Sequence, residues 1–210
     1  MDRIEGLSDE QLLPLIAAGY AAALEAIYER RQPGIYRFAL RMSGCRSAAE
    51  DVTHDVFIAL MRDAGHYDSA RGSVQAYLYG MARNRVLRLL QRDRGFASIS
   101  EDASEGESSV EEALILREDP LAVLTRSELI ESVRGAILAL PLHYREAVVL
   151  CNLQEMSYAE AADVLGCPIG TVRSRLYRAR ELLIKKLHGD PSSEVGKNAT
   201  KTVCLGTPRL

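Results

Sequence analysis

The sequence predicts an all-α protein built from two small helical domains, a helical bundle and a helix-turn-helix, joined by a flexible acidic linker. Three observations predict it. Apolar residues recur at helical spacing through most of the chain, no stretch alternates like a strand between turn signals, and one acidic, serine-rich segment interrupts the pattern. The boundaries that follow are 1–95 for the first domain, 96–125 for the linker, 126–188 for the second domain and 189–210 for a disordered tail without periodicity.

Ser8 with Gln11 caps a first helix that runs towards Gly19, with Pro14 deeper than the ideal first position. Ala21 to Arg31 gives a second, Gln32-Pro33-Gly34 reads as a break, and Ile35 to Met42 gives a third. Ser47 to Asp63, Ser73 to about Arg94 and Arg126 to Leu140 follow, before Pro141 and the terminal helices. In the helix from Ser47, Val52, Val56, Ala59 and Leu60 make the inward stripe, while Phe57, Ile58 and Met61 fall on another side beside Asp51 and His54. A helix that is apolar on two faces buries both, the second either inside the same bundle or under a partner protein.

The terminal helices carry the sharpest signal. Ser157 and Glu160 form an S-x-x-E capping box for a helix with Ala161, Ala162, Val164 and Leu165 on its apolar side; Gly166 ends it and Pro168 starts the next. Ile169, Val172, Leu176, Ala179, Leu183 and Leu187 then recur every three or four residues, a single buried stripe. The opposite face holds Gly170, Ser174, Tyr177 and Arg178, flanked by Arg173, Arg175 and Arg180. Docked on its apolar stripe, such a helix suits the major groove, where arginine takes both acceptors of a guanine and neighbouring cations meet phosphates. The competing reading is an ordinary basic, solvated helix.

A net charge of -3 at pH 7 conceals segregation. Arg71, Arg83, Arg85, Arg88, Arg92 and Arg94 form one basic block; Arg173, Arg175, Arg178, Arg180, Lys185 and Lys186 form another. Between them the segment GFASISEDASEGESSVEEALILREDP is acidic, either a plain spacer or a polyanion that competes for a nucleic-acid channel. With no apolar run of about 18 residues and no basic-then-apolar leader, neither a membrane span nor a secretion signal is expected, which points to the cytoplasm. Cys45, Cys151, Cys167 and Cys204 are scattered, the pattern of buried thiols rather than of a zinc site or disulfide framework.

No Ser/His/Asp set, glycine-rich phosphate loop or nucleophilic cysteine context is present, so no catalytic residue, metal or cofactor is expected. Asp51-x-x-His54 and Asp63-x-x-His66 have the carboxylate-histidine spacing of di-iron bundles, but those sites need inward-facing ligands from four helices.

The block AEDVTHDVFIALMRDAGHYDSARGSVQAYLYGMARNRVLRLLQRDR, from Ala49 to Arg94, resembles region 2 of an extracytoplasmic-function sigma factor of the sigma-70 family. The block LPLHYREAVVLCNLQEMSYAEAADVLGCPIGTVRSRLYRARELL, from Leu140 to Leu183, resembles region 4 of the same family. The resemblance implies that Asp51, His54, Asp55, Phe57, Ile58 and Met61 dock on the clamp coiled coil of core RNA polymerase, His54 standing where the family often has Gln and Asp55 where it often has Glu. It implies that the loop from Gly65 to Ser73 and the following helix capture the unpaired minus-10 strand with Tyr67, Arg71, Tyr79, Arg83, Asn84, Arg85 and Arg88, Tyr77 being either a further aromatic face or core.

In region 4 it assigns Arg173, Ser174, Tyr177 and Arg178 to the minus-35 duplex, with Tyr158, Thr171, Arg145 and Arg175 on its backbone. The implied partners are core RNA polymerase through its clamp and flap, promoter DNA in double- and single-stranded form, and an anti-sigma factor, with a nucleoid-associated, cytoplasmic location. The alternative is a helix-turn-helix regulator that does not associate with polymerase; a polymerase-docking helix followed by a strand-trapping basic helix discriminates against it.

Overall fold

Ser8 accepts the backbone N–H of Gln11 while the Gln11 side chain accepts that of Ser8, so the first helix starts where the capping pattern placed it. The computed structural model describes residues 4, 6–97 and 120–187. Its first lobe contains α1 (Asp9–Ala17), α2 (Ala21–Ser43), α3 (Arg46–Asp63), two short 3-10 turns (Ala64–His66 and Ser69–Arg71) and α4 (Val74–Ala97). The second contains α5 (Pro120–Leu138), α6 (Leu142–Val148) running into a π-helical turn (Val149–Leu153), α7 (Tyr158–Leu165) and α8 (Ile169–Leu187). Among the described residues there is no strand.

In the first lobe α2 is the hub, packing on α1, α3 and α4. Leu12, Leu13, Ile27, Ile35, Phe38, Met42, Val56, Leu60 and Leu78 are fully buried at its centre. Asp9, itself buried, pairs with Arg30 and Arg31 and so ties α1 to α2. Gly44 ends α2 in the left-handed conformation that glycine tolerates at a C-cap.

In the second lobe the Ser157–Glu160 capping box is complete and Gly166, at φ +61°, ends α7. Ala161, Ala162, Val164 and Leu165 of α7 are buried, as are Val172, Leu176 and Ala179 of α8; of the other expected stripe residues Leu183 is half-buried, while Ile169 and Leu187, at the two ends of α8, are exposed. The lobes are not held apart. α7 packs on α4, α5 and the π-helical turn pack on α2, and the buried side chains form one continuous core.

Three expectations are corrected. The break at Gln32-Pro33-Gly34 does not occur, because α2 runs through it: Ile27, Ile35, Phe38, Ala39 and Met42 are all buried along one helix, outweighing the cost of an internal proline. Gly34 has a packing role there, since a Cβ at this position would lie 2.8 Å from the Tyr79 hydroxyl. Phe57 is not a surface residue; it is 6% exposed, with its ring 4.7 Å from that of Tyr28 in an edge-on contact that α2 supplies. Helix α5 begins at Pro120, inside the stretch expected to be linker.

Cys45 is buried, and Cys151 and Cys167 are half-buried free thiols. The acidic segment 98–119, the tail 188–210 and Cys204 lie outside the described residues.

Candidate nucleic-acid interface

Helix α8 presents its polar face outward because its apolar stripe is spent on α6 and α7. Arg173, Ser174, Tyr177 and Arg178 are exposed, Tyr177 to 65%, and Thr171 and Arg175 are half-buried at the margins. The Arg173 guanidinium lies 5.9 Å from the centre of the exposed Tyr158 ring, a cation-π contact that joins α8 to the start of α7. Ser174 donates to the Thr171 carbonyl at 3.0 Å. Of the eight residues expected on duplex DNA, Arg145 alone is elsewhere. It is buried, with its guanidinium donating to the carbonyls of Met42 (2.7 Å), Leu140 (3.2 Å) and Leu138, so it fastens α6 to the end of α2 instead of reaching a phosphate.

On the first lobe, a cavity of about 350 Å3 opens where the 3-10 turns meet α4. His66, Tyr67, Arg71, Tyr77, Met81 and Asn84 line it from that lobe, and Asp163 and Val164 of α7 close it from the other. The Tyr67 and Tyr77 rings lie 5.6 Å apart, the Tyr67 hydroxyl donates to the Gly72 carbonyl at 2.9 Å, and burial pushes both phenols above their ordinary pKa. Arg71, Asn84 and Arg88 are exposed. Arg85 donates to the Met81 carbonyl at 3.2 Å, and partial burial lowers its pKa from the usual arginine value.

Tyr79 and Arg83 sit differently. Tyr79 is buried edge-on against Phe38 with ring centres 5.4 Å apart, its hydroxyl donates to Gln154 at 2.8 Å, and burial pushes its pKa up to about 12. Arg83 donates to Glu146 at 2.7 Å. Ser73 donates to Glu160 at 3.2 Å. All three bonds cross from the first lobe to the second.

On α3 the exposed side carries Asp51, His54, Asp55 and Met61, the last 53% exposed, with Ile58 half-buried among them. Tyr28 of α2 extends this surface while covering Phe57. Asp51, His54, Asp63 and His66 are all exposed, and among the described residues no group of three or more potential metal-binding side chains assembles.

The sequence pattern of sigma-70 region 2 matches residues 27–96, from within α2 to the end of α4, and that of sigma-70 region 4 matches residues 130–183. The ECF RNA polymerase sigma-E factor of Escherichia coli strain K12 is 32% identical over 188 residues, covering 87% of this chain and 96% of that protein. The chain belongs to the ECF sigma factors.

Other members agree: the sigma-H factor of Pseudomonas aeruginosa is 30% identical over 85% of this chain and 93% of its own length, and the ECF sigma factor SigE of Mycolicibacterium smegmatis is 31% identical over 87% and 69%. Among solved structures, CnrH in complex with the cytosolic domain of CnrY shares the fold with a TM-score of 0.63 and 23% identity, over 87% of this chain and 98% of CnrH. RpoE of Bartonella quintana, in complex with the anti-sigma factor NepR, gives 0.61 and 21%, over 79% and 97%.

As an RNA polymerase sigma factor, the protein binds core polymerase and promoter DNA in transcription initiation; sigma factors are generally non-enzymatic initiation factors, and its homologues act on polymerase in the cytoplasm. No helix among the described residues is long and apolar enough to cross a membrane. The residues that sequence reasoning missed in this sigma factor are Glu146, Gln154 and Asp163 on the second lobe, which face α4 and the cavity beside it. Glu146 had a signal: a lone carboxylate opening the apolar run Ala147 to Leu150 is a buried charge in need of a partner.

Proposed function

We propose that this sigma factor reads the minus-35 duplex with Arg173, Ser174, Tyr177 and Arg178, using Thr171, Arg175 and Tyr158 on the DNA backbone, and captures the minus-10 strand around the cavity ahead of α4. Tyr67, Arg71, Asn84, Arg85 and Arg88 supply aromatic faces, a base-reading amide and phosphate-binding cations there. The observation that carries this reading is the presence on one chain of an outward arginine, serine and tyrosine face on α8 and a separate aromatic-lined cavity beside basic α4. Trapping unstacked bases lowers the cost of opening the duplex without chemistry.

The exposed surface of α3, with Asp51, His54, Asp55 and Met61 and half-buried Ile58, docks on the polymerase clamp; buried Phe57 shapes that surface from beneath. The flap of polymerase engages the second lobe. An anti-sigma factor holds the chain inactive, by analogy with RpoE of Bartonella quintana, which was solved with one, and the active protein is carried to the nucleoid with polymerase. Co-purification of the full chain with core polymerase tests the docking surface. Met61→Asp is expected to abolish retention while leaving minus-35 duplex binding unchanged; unimpaired retention contradicts the assignment.

A further inference from the structure

We infer that a second cavity, bounded by α2, α4 and the π-helical turn, binds a phosphate group. Its volume is about 180 Å3, below the roughly 300 to 1,000 Å3 of pockets for drug-sized ligands, so it selects a compact group. Ile35, Leu78 and Tyr79 give it a buried side, half-buried Arg31 and Gln75 its walls, and exposed Arg30 and Arg37 a cationic rim. None of the residues that line it is acidic.

The hydrogen bonds already made leave the cavity rich in donors. A guanidinium can only donate, so the 2.9 Å bond from Arg31 occupies the carbonyl oxygen of the Gln75 side chain and leaves its amide nitrogen unused. Tyr79 does the same to Gln154, donating to its oxygen at 2.8 Å. Neither amide nitrogen bonds another described residue. Arg31 spends one N–H on Asp9 and one on Gln75, and keeps the rest.

Arg37 makes no hydrogen bond or ion pair with a described residue, whereas Asp9 offsets part of the charge of Arg30 and Arg31. The excess is positive and sits at the mouth. Arg31, Arg37, Gln75 and Gln154 bring donors from three elements, more than the two oxygens of a carboxylate can use and suited to the three free oxygens of a terminal phosphate. Gly34 keeps the space open, since a Cβ there would stand 2.8 Å from the Tyr79 hydroxyl and 3.8 Å from the Gln154 oxygen.

The phosphate can belong to a free ligand or to a DNA backbone, and two probes tell these apart. Titration calorimetry of the full-length chain with pyrophosphate reads the first, and fluorescence anisotropy with a short labelled duplex of random sequence reads the second, both at constant ionic strength. Arg37→Ala removes the unpaired cation, and Gln75→Glu still accepts from Arg31 but turns a donor into a repelling carboxylate. Arg62→Ala, which changes the charge equally outside the cavity, is the control, and circular dichroism verifies the helices of each variant.

The expected result is that both cavity variants bind at least one probe about tenfold or more weakly than the control does, the ordinary worth of one charge-assisted hydrogen bond. Loss confined to pyrophosphate identifies a free phosphorylated ligand, and loss confined to the duplex identifies a backbone phosphate. Folded cavity variants that match the control on both probes, or a wild-type chain that binds neither, overturn the site.

Discussion

The Arg83 guanidinium of α4 lies 2.7 Å from the Glu146 carboxylate of α6, and Glu146 is 3% exposed, so this ion pair between the two lobes holds a buried charge. Removing one partner of a trapped pair costs about 3 to 5 kcal/mol, because the survivor stays buried and unpaired. Arg83 is itself partly exposed, so water reaches one side of the pair. Arg83→Ala is therefore expected to lower stability by no more than that range; denaturant unfolding checks it.

Arg178 stands on the exposed face of α8, free to reach a base edge. Arg178→Ala is expected to weaken binding to the cognate minus-35 duplex by about 1 to 3 kcal/mol and to relax selectivity at one position. Binding to a scrambled duplex should change far less. Equal losses on both duplexes would mean that Arg178 holds a phosphate.

The Glu160 carboxyl is held below the usual value of 4.5, first by the Ser157 hydroxyl and then, against the opposing effect of burial, by the Ser157 backbone, Ser73 and Arg31. Because the folded state favours the anion, the stability this provides is present in full above the ordinary carboxylate pKa and is lost as pH falls through the depressed one. Glu160→Gln keeps the capping geometry without the charge. Melting temperatures of wild type and variant should therefore differ near neutrality and converge as pH falls through the depressed carboxyl pKa.

Two backbone positions give opposite expectations. Glu155, at φ +54°, precedes α7 in a left-handed conformation that penalises a side chain, whereas Gly166 occupies such a conformation at φ +61° without a penalty. A Cβ at Gly166 meets no atom within 4 Å, so Gly166→Ala isolates the backbone cost, about 1 kcal/mol of destabilisation. Glu155→Gly should stabilise by a similar amount, as read from urea midpoints.

The parts of this fold legible in the sequence are those written locally. The capping box at Ser157, the stop at Gly166 and the stripe from Val172 to Ala179 determine α7 and α8 within about thirty residues, and the exposed arginine face follows from the stripe by helical geometry alone. Pro33 misled because a local rule met a long-range one: apolar packing on both sides of it keeps α2 intact. Phe57 misled because its cover, Tyr28, comes from another helix.

The lobe junction is the least legible feature. Tyr79 finds Gln154 and Arg83 finds Glu146 across the linker, more than sixty residues away in each case. No periodicity records such a pairing. Arg145 is the same case in reverse, a cation in a DNA-binding lobe whose guanidinium is taken by carbonyls of α2 and its own lobe.

The most direct test is transcription by purified core RNA polymerase on genomic DNA, with and without the full-length chain, with RNA 5′ ends mapped. The account predicts new, discrete start sites that share a duplex element and an opened element at fixed spacing, and that weaken with Arg178→Ala. Finding no start site that depends on the added chain would contradict it.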